Sequence, residues 1–242
     1  MNKTAMNKTA MNGREQMLSR VRRALQVPAP KRHAPAQSPT TERFARELPV
    51  IRQEAREWLP PVGETWQEQA DLFAAQCADL RAEFFLCRDA AERQERLAAL
   101  SGECGWQRVA VHQGAMTDEA AAALRLPTLV TNPGYDLEEL EQYDAALTEC
   151  DALVAQTGSV LITSRSAGGR TLSALTPHHV VLARREQLVP DLTAAFALLS
   201  ARYGGSYPSL LSLITGPSRT GDIERILVLG AHGPKRLSIF CV

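Results

Sequence analysis

The sequence predicts an α/β fold, a mostly parallel sheet flanked by helices, with a helical N-terminal arm before it and a closing C-terminal β-hairpin. Three observations carry this. Short apolar runs alternate with stretches of helical periodicity from Thr65 to Gly204. Several runs, such as Leu210–Thr215, are nearly continuous in apolar character, which suits strands covered on both faces. The tail differs, since Arg225–Leu229 and Arg236–Val242 flank the turn-forming stretch Gly230–Pro234 and read as a hairpin.

Taken in order, the first repeats (Met-Asn-Lys-Thr-Ala twice) are polar and predict disorder. Met17, Leu18, Val21, Ala24 and Leu25 recur at three- and four-residue steps and predict a short helix that Pro28 ends. Four prolines between residues 28 and 40 mark a linker. The expected division is therefore a basic, partly disordered arm and linker over 1–60 and an α/β domain over 61–242.

Within the domain, Thr65 and Glu68 have the spacing of a capping box ahead of Ala70, Phe73 and Cys77. Glu83–Cys87 reads as a strand. Asp89 and Glu92 cap a helix expected to stop at Gly102. Strands are expected at 107–111, 128–130, 145–148, 159–163, 179–183 and 210–215, with helices at 118–124 and 191–202.

Formal charge is zero over 242 residues, but the first 56 carry twelve Lys or Arg against four Asp or Glu. The arm is basic and the body acidic. No aromatic residue interleaves the arginines before Phe44, so the arm is expected to be solvated or self-docking, with no nucleic-acid partner. No apolar stretch reaches the roughly 18 residues that cross a bilayer, and the start lacks the apolar core of a secretion signal, so a cytoplasmic location is expected. Cys77, Cys87, Cys104, Cys150 and Cys241 are odd in number and contain no Cys-x-x-Cys pair, which argues against a disulfide framework, a zinc site or an iron–sulfur cluster in this chain. The usual nucleotide-binding glycine loops and the Gly-x-Ser-x-Gly elbow are absent, and Lys235 is the one lysine beyond Lys31.

Ligands of open parallel sheets bind beyond the carboxyl ends of the strands, and three polar clusters are expected there. The first joins Thr157-Gly158-Ser159 to the segment 164–171, where Gly168 and Gly169 lie between Arg165 and Arg170. It is either an anion cradle or a plain surface loop. The second is Thr176-Pro177-His178-His179. Neighbours in a strand point to opposite faces, so at most one of these histidines faces a site, and no metal centre is expected. In the third, Gly216-Pro-Ser-Arg-Thr-Gly-Asp-Ile-Glu224, a sharp break presents Ser218, Arg219 and Thr220 before Asp222 and Glu224. Arg219 suits a carboxylate or phosphate, with Asp222 as base or positioning group; the plainer alternative is a capped turn.

The runs Gly216–Glu224, Val228–Pro234, Asp151–Ser159 and Leu175–His178 resemble the lactate utilization protein C (LutC) group of the LUD domain family, over about residues 65–242. The resemblance implies a fold similar to the NagB/RpiA/CoA-transferase group. It also implies partners, iron–sulfur lactate utilization subunits, that together with such a chain oxidise L-lactate to pyruvate. On that reading the clusters belong to the partner proteins and no cofactor is expected in this chain. Whether this subunit is itself catalytic is not implied, and an oligomer is compatible with the sequence. Arg219 would grip the carboxylate of the hydroxy acid, with Asp222 or His178 as candidate catalytic groups near its hydroxyl. Gly216, Ser218, Thr220, Gly158, Ser159, Arg170 and His232 complete the candidate anion-binding set. The alternatives are a stand-alone enzyme or binding protein for a phosphate-, CoA- or folate-type ligand, and a scaffold that docks through the basic arm.

Overall fold

The computed structural model describes residues 19, 22–23, 59–220, 228–229 and 233–242. The chain divides into two compact units, Met1–Arg56 and Glu57–Val242. In the first, Ser19, Arg22 and Arg23 are helical, and the rest of the expected arm and linker lies outside the described residues.

The second unit opens with α1 (Trp66–Asp79), where the capping box forms as its spacing requires: Thr65 and Glu68 each bond the other's backbone amide. β1 (Glu83–Leu86) follows, then α2 (Ala90–Cys104), capped by the Asp89 carboxylate. This helix runs through Gly102, where a stop was expected, because Gly105 and not Gly102 makes the left-handed turn that ends it. The next elements are β2 (Val109–Val111), α3 (Ala115–Leu124), β3 (Thr128–Val130), α4 (Leu137–Leu140) and β4 (Ala145–Glu149). β5 (Ala152–Val154), β6 (Ser159–Thr163), α5 (Leu172–Leu175), β7 (His178–Ala183), β8 (Leu188–Val189) and α6 (Leu192–Tyr203) come next. Last are β9 (Leu211–Ile214), β10 (Arg219–Thr220), β11 (Val228–Leu229) and β12 (Arg236–Cys241).

Six strands form an all-parallel sheet in the order β1-β12-β7-β4-β2-β3. The α/β class with a mostly parallel, helix-flanked sheet is thus what the chain adopts. One face packs through Val180, Leu182 and Phe240 onto α2 and α3, where Leu97, Leu100 and Ala120 are buried. The other packs through Val181, Leu237 and Ile239 onto Phe73 and Cys77 of α1 and onto Val160 and Ile162 of a second sheet. That second sheet has four strands in the order β8-β5-β6-β9, and α6 covers its far side with Ala195, Leu199 and Tyr203. The buried Asp151 carboxylate ties these layers together, accepting from Tyr203 Oη at 2.6 Å, Arg202 at 2.8 Å and Ser166 Oγ at 2.8 Å.

Two expectations are corrected. β9 does not sit inside the parallel sheet: it is the edge of the second one, antiparallel to β6, with Leu211 and Leu213 exposed. Its apolar run is split between a packed face and an open one. Arg236–Val242 does not close a hairpin either. β11 pairs antiparallel with β10, while β12 enters the main sheet between β1 and β7. A strand buried on both faces needs the apolar run that Leu237–Cys241 supplies, and this outweighs the turn signal before it.

Candidate functional site

β7 and β12 run side by side with His178 opposite Arg236 and His179 opposite Leu237. Because a strand alternates its side chains, each pair serves a different face of the sheet. Each face holds a cleft at this amino-terminal edge.

The first cleft, about 230 Å³, is bounded by Arg170, Ser173 and His179, by β9 residues Ser212 to Ile214, and by the loop Gly216-Pro217-Ser218 with Gly233 and Pro234. The Ser218 amide donates to Pro234 O at 2.9 Å, which seats the loop against the start of β12. Gly216 passes close to the end of α1: a Cβ there would lie 2.9 Å from Leu80 O and 3.3 Å from Arg219 Nη2. Glycine at 216 is therefore a packing requirement that also brings the Arg219 guanidinium over the loop. Among the described residues no carboxylate pairs with Arg170 or Arg219.

His179 closes the floor. Its Nε2 lies 2.9 Å from Thr148 Oγ1, while its buried Nδ1 has no protein partner, and an unsatisfied group of this kind costs about 1–3 kcal/mol. Burial, and secondarily the neighbouring His178, pushes its pKa down to about 3. A ring with so low a proton affinity acts as a neutral hydrogen-bonding group.

The predicted set is partly brought together. Gly216, Ser218 and Arg170 line this cleft, and Arg219 stands at its loop. Thr220 continues into β10 and pairs with Val228. Asp222 and His232 lie outside the described residues. Gly158 and Ser159 do not line the cleft: Gly158 is packed against Gln76 of α1 and Leu80 just after it, and the buried Ser159 hydroxyl is engaged by Thr157 and Thr215, each at 2.8 Å. The grouping of His178 with the Gly216 loop is also corrected. The alternation argument holds, but its phase is the reverse, and His179 is the histidine on that side.

His178 instead faces the second cleft, about 240 Å³, with Cys104, Trp106, Asp144, Pro177, Lys235 and Arg236. Its ring meets Trp106 edge-on at 5.1 Å, and its Nε2 is 2.8 Å from Ser238 Oγ. Burial and then the Arg236 charge, opposed by Glu83, lower its pKa to about 4.

These shifts define a pH dependence. Both rings are held neutral in the folded chain, whereas the unfolded chain takes up protons near the ordinary value of 6.5. Below that value the unfolded state binds more protons, so stability is complete above about pH 6.5 and is lost as pH falls towards 4 and 3. His112, lowered by burial, adds in the same direction. Urea melts at pH 7 and pH 5 are expected to show a lower midpoint at pH 5, and His179→Gln should flatten that difference.

At the carboxyl edge of the main sheet, where ligands were expected, one helix terminus is met by the chain itself. Glu149, at the end of β4, accepts the Met116 amide at 2.8 Å and so occupies the amino terminus of α3 with a protein carboxylate. His112 lies beside it and packs against Gly168, where a Cβ would come within 2.5 Å of its Nδ1. Neither Glu149 nor His112 stands in a recognisable sequence motif.

The fold and clefts define a two-sheet α/β protein with small polar cavities at the amino-terminal edge of its parallel sheet. Residues 135–242 match the family model described as LUD domain, a shorter span than the loops had suggested. The chain is 32% identical over 109 residues to lactate utilization protein C of Geobacillus kaustophilus (strain HTA426), covering 44% of this chain and 45% of that protein. It is 35% identical over 102 residues to the protein of the same name from Halalkalibacterium halodurans, covering 41% and 44%. With the one from Deinococcus radiodurans it shares 31% over 118 residues, 48% and 55% of the two chains. The matches thus span about half the length of these relatives. A crystal structure of a DUF162 family protein from Deinococcus radiodurans superposes with a TM-score of 0.58 at 24% identity, over 74% of this chain and 99% of that one, and shows the same fold. No helix among the described residues is long and apolar enough to cross a membrane.

Proposed function

We propose that this protein acts in lactate utilization, as a cytoplasmic subunit of a system that oxidises L-lactate to pyruvate with iron–sulfur clusters held by its partner proteins. The relatives' shared name supports the pathway. The observation that carries the site is the first cleft, which joins the Arg170 guanidinium, paired with no carboxylate among the described residues, the Ser218 hydroxyl and the buried, unpartnered Nδ1 of His179 around a glycine-bounded loop. A small carboxylate fits this set. Arg170, helped by Arg219, binds the carboxylate through charge-assisted bonds, and a hydroxyl on the adjacent carbon meets His179 Nδ1. Because His179 is a weak base, its part is to orient that hydroxyl, and electrons pass to groups outside this chain.

Growth on L-lactate tests the reading. Cells lacking the protein should regain growth with the wild-type chain and only poorly with Arg170→Ala, and lactate binding to the variant should weaken at least about tenfold. Full growth with both Arg170→Ala and Arg219→Ala would remove the carboxylate assignment. Thermal stabilisation of the isolated chain by phosphate, a CoA ester or a folate, with none by lactate, would favour the stand-alone reading instead.

A further inference from the structure

The second cleft is built separately from the first. Its walls are the end of α2 (Cys104), the following Trp106, Asp144 before β4, and the two segments that enter β7 and β12. Pro177 O accepts the Lys235 amide at 2.8 Å and the Arg236 amide at 3.3 Å, which fixes the two cations at the cleft. Arg236 reaches Glu83 through Nη2 at 2.5 Å and Cys104 Sγ through Nη1 at 2.9 Å, leaving further N–H groups of its five unused. Among the described residues no carboxylate pairs with Lys235. Asp144 uses one oxygen for the amides of Gln107 and Arg108.

The hydrogen bonds determine the His178 tautomer. Glu83 is held ionised: burial works against its charge, but the bonds from Ser238 and Arg236 prevail and lower its pKa. It can only accept, so the Ser238 hydroxyl gives its one proton to Glu83. Ser238 Oγ must then accept from His178, and the proton of the neutral ring sits on Nε2. The other nitrogen, Nδ1, carries a bare lone pair, has no partner, and belongs to a side chain only 3% exposed that lines the cleft.

We infer that this cleft is a second ligand site, which takes a small carboxylate bearing a hydrogen-bond donor on the neighbouring carbon, a 2-hydroxy or 2-amino acid. Lys235 and Arg236 hold the carboxylate, and the hydroxyl or ammonium donates to His178 Nδ1. A ligand with a carboxylate alone satisfies the cations and leaves Nδ1 unpaired, so it binds less well. This inference does not depend on the reading of the first cleft.

The cleft has two chemical handles. Cys104 is the one cysteine that is not buried, and Lys235 is the only lysine after Lys31. The intact protein is treated with iodoacetamide, or with an amine-acylating reagent, in the presence of L-lactate, glycolate, L-alanine or acetate, and modification of Cys104 and Lys235 is followed by mass spectrometry. At least one hydroxy or amino acid should slow both reactions saturably, at concentrations about tenfold below those acetate needs. Lys235→Ala, at an exposed side chain, should weaken protection of Cys104 by about tenfold, while Arg170→Ala in the other cleft should leave it unchanged. The ring nitrogen resonances of His178 should show a bare Nδ1 that shifts on binding. Absence of protection by every probe, equal protection by acetate, a proton on Nδ1, or loss of protection in Arg170→Ala would each overturn the inference.

Discussion

Phe240→Ala is expected to lower the stability of the domain by about 3–5 kcal/mol, and its melting temperature by roughly 10 °C. Phe240 is fully buried in β12 and stacks on Phe85 of β1, with ring centroids 4.6 Å apart and planes 17° from parallel. Truncation removes that stack and leaves a void between the α2 side of the core and Val180 and Leu182, which strand pairing immobilises. A site pinned by parallel strands on both sides collapses poorly, which places the cost towards the upper end. Chemical denaturation followed by tryptophan fluorescence reads it. A loss under about 1 kcal/mol would show that β12 is not packed as described.

Gly158→Ala is expected to cost about 2–4 kcal/mol, from backbone conformation and overpacking together. Gly158 has φ +62°, and an added Cβ would lie 2.7 Å from Gln76 Cβ, 2.9 Å from Leu80 Cδ1 and 3.2 Å from the Gln76 carbonyl carbon. The nearest of these belongs to the rigid stem of a helix, so α1 itself must move. The prediction separates two roles for a residue whose sequence context suggests an anion cradle. A packing glycine loses stability on substitution, whereas a ligand-cradling glycine loses affinity with the fold intact. Thermal melts and lactate-binding measurements on the one variant discriminate the two.

Where local chemistry decides, the sequence was a good guide. Thr65 and Glu68, and Asp89, cap helices because their side chains reach amides only a few residues away. Most strands were legible as apolar runs, but their partners were not: β9 read like a strand of the parallel sheet and β12 like half of a hairpin. Five elements escaped because β5, α4, α5, β8 and β10 have two to four residues each, too few to display a period. The site was legible by residue type and less so by place. The loop at Gly216 and the cation at Arg170 do meet, but the phase of the His178–His179 alternation is set by which face β12 and the second sheet cover, a long-range fact. At the carboxyl end of β4, Glu149 caps α3 across 33 residues of chain, a contact that no local sequence pattern announces.

The position of β12 has a consequence for how the protein is made. Among the described residues β1 has one neighbour in the sheet, β12; Glu83 and Ser238, which pair in register, are 155 residues apart in the chain. A nascent chain leaving the ribosome therefore carries β1 unpaired through the whole of domain synthesis, and only the last strand joins the two ends. Closure of so long a loop is an entropic cost that local helices cannot offset in advance. β1, made early, is thus among the last of these strands to find its place.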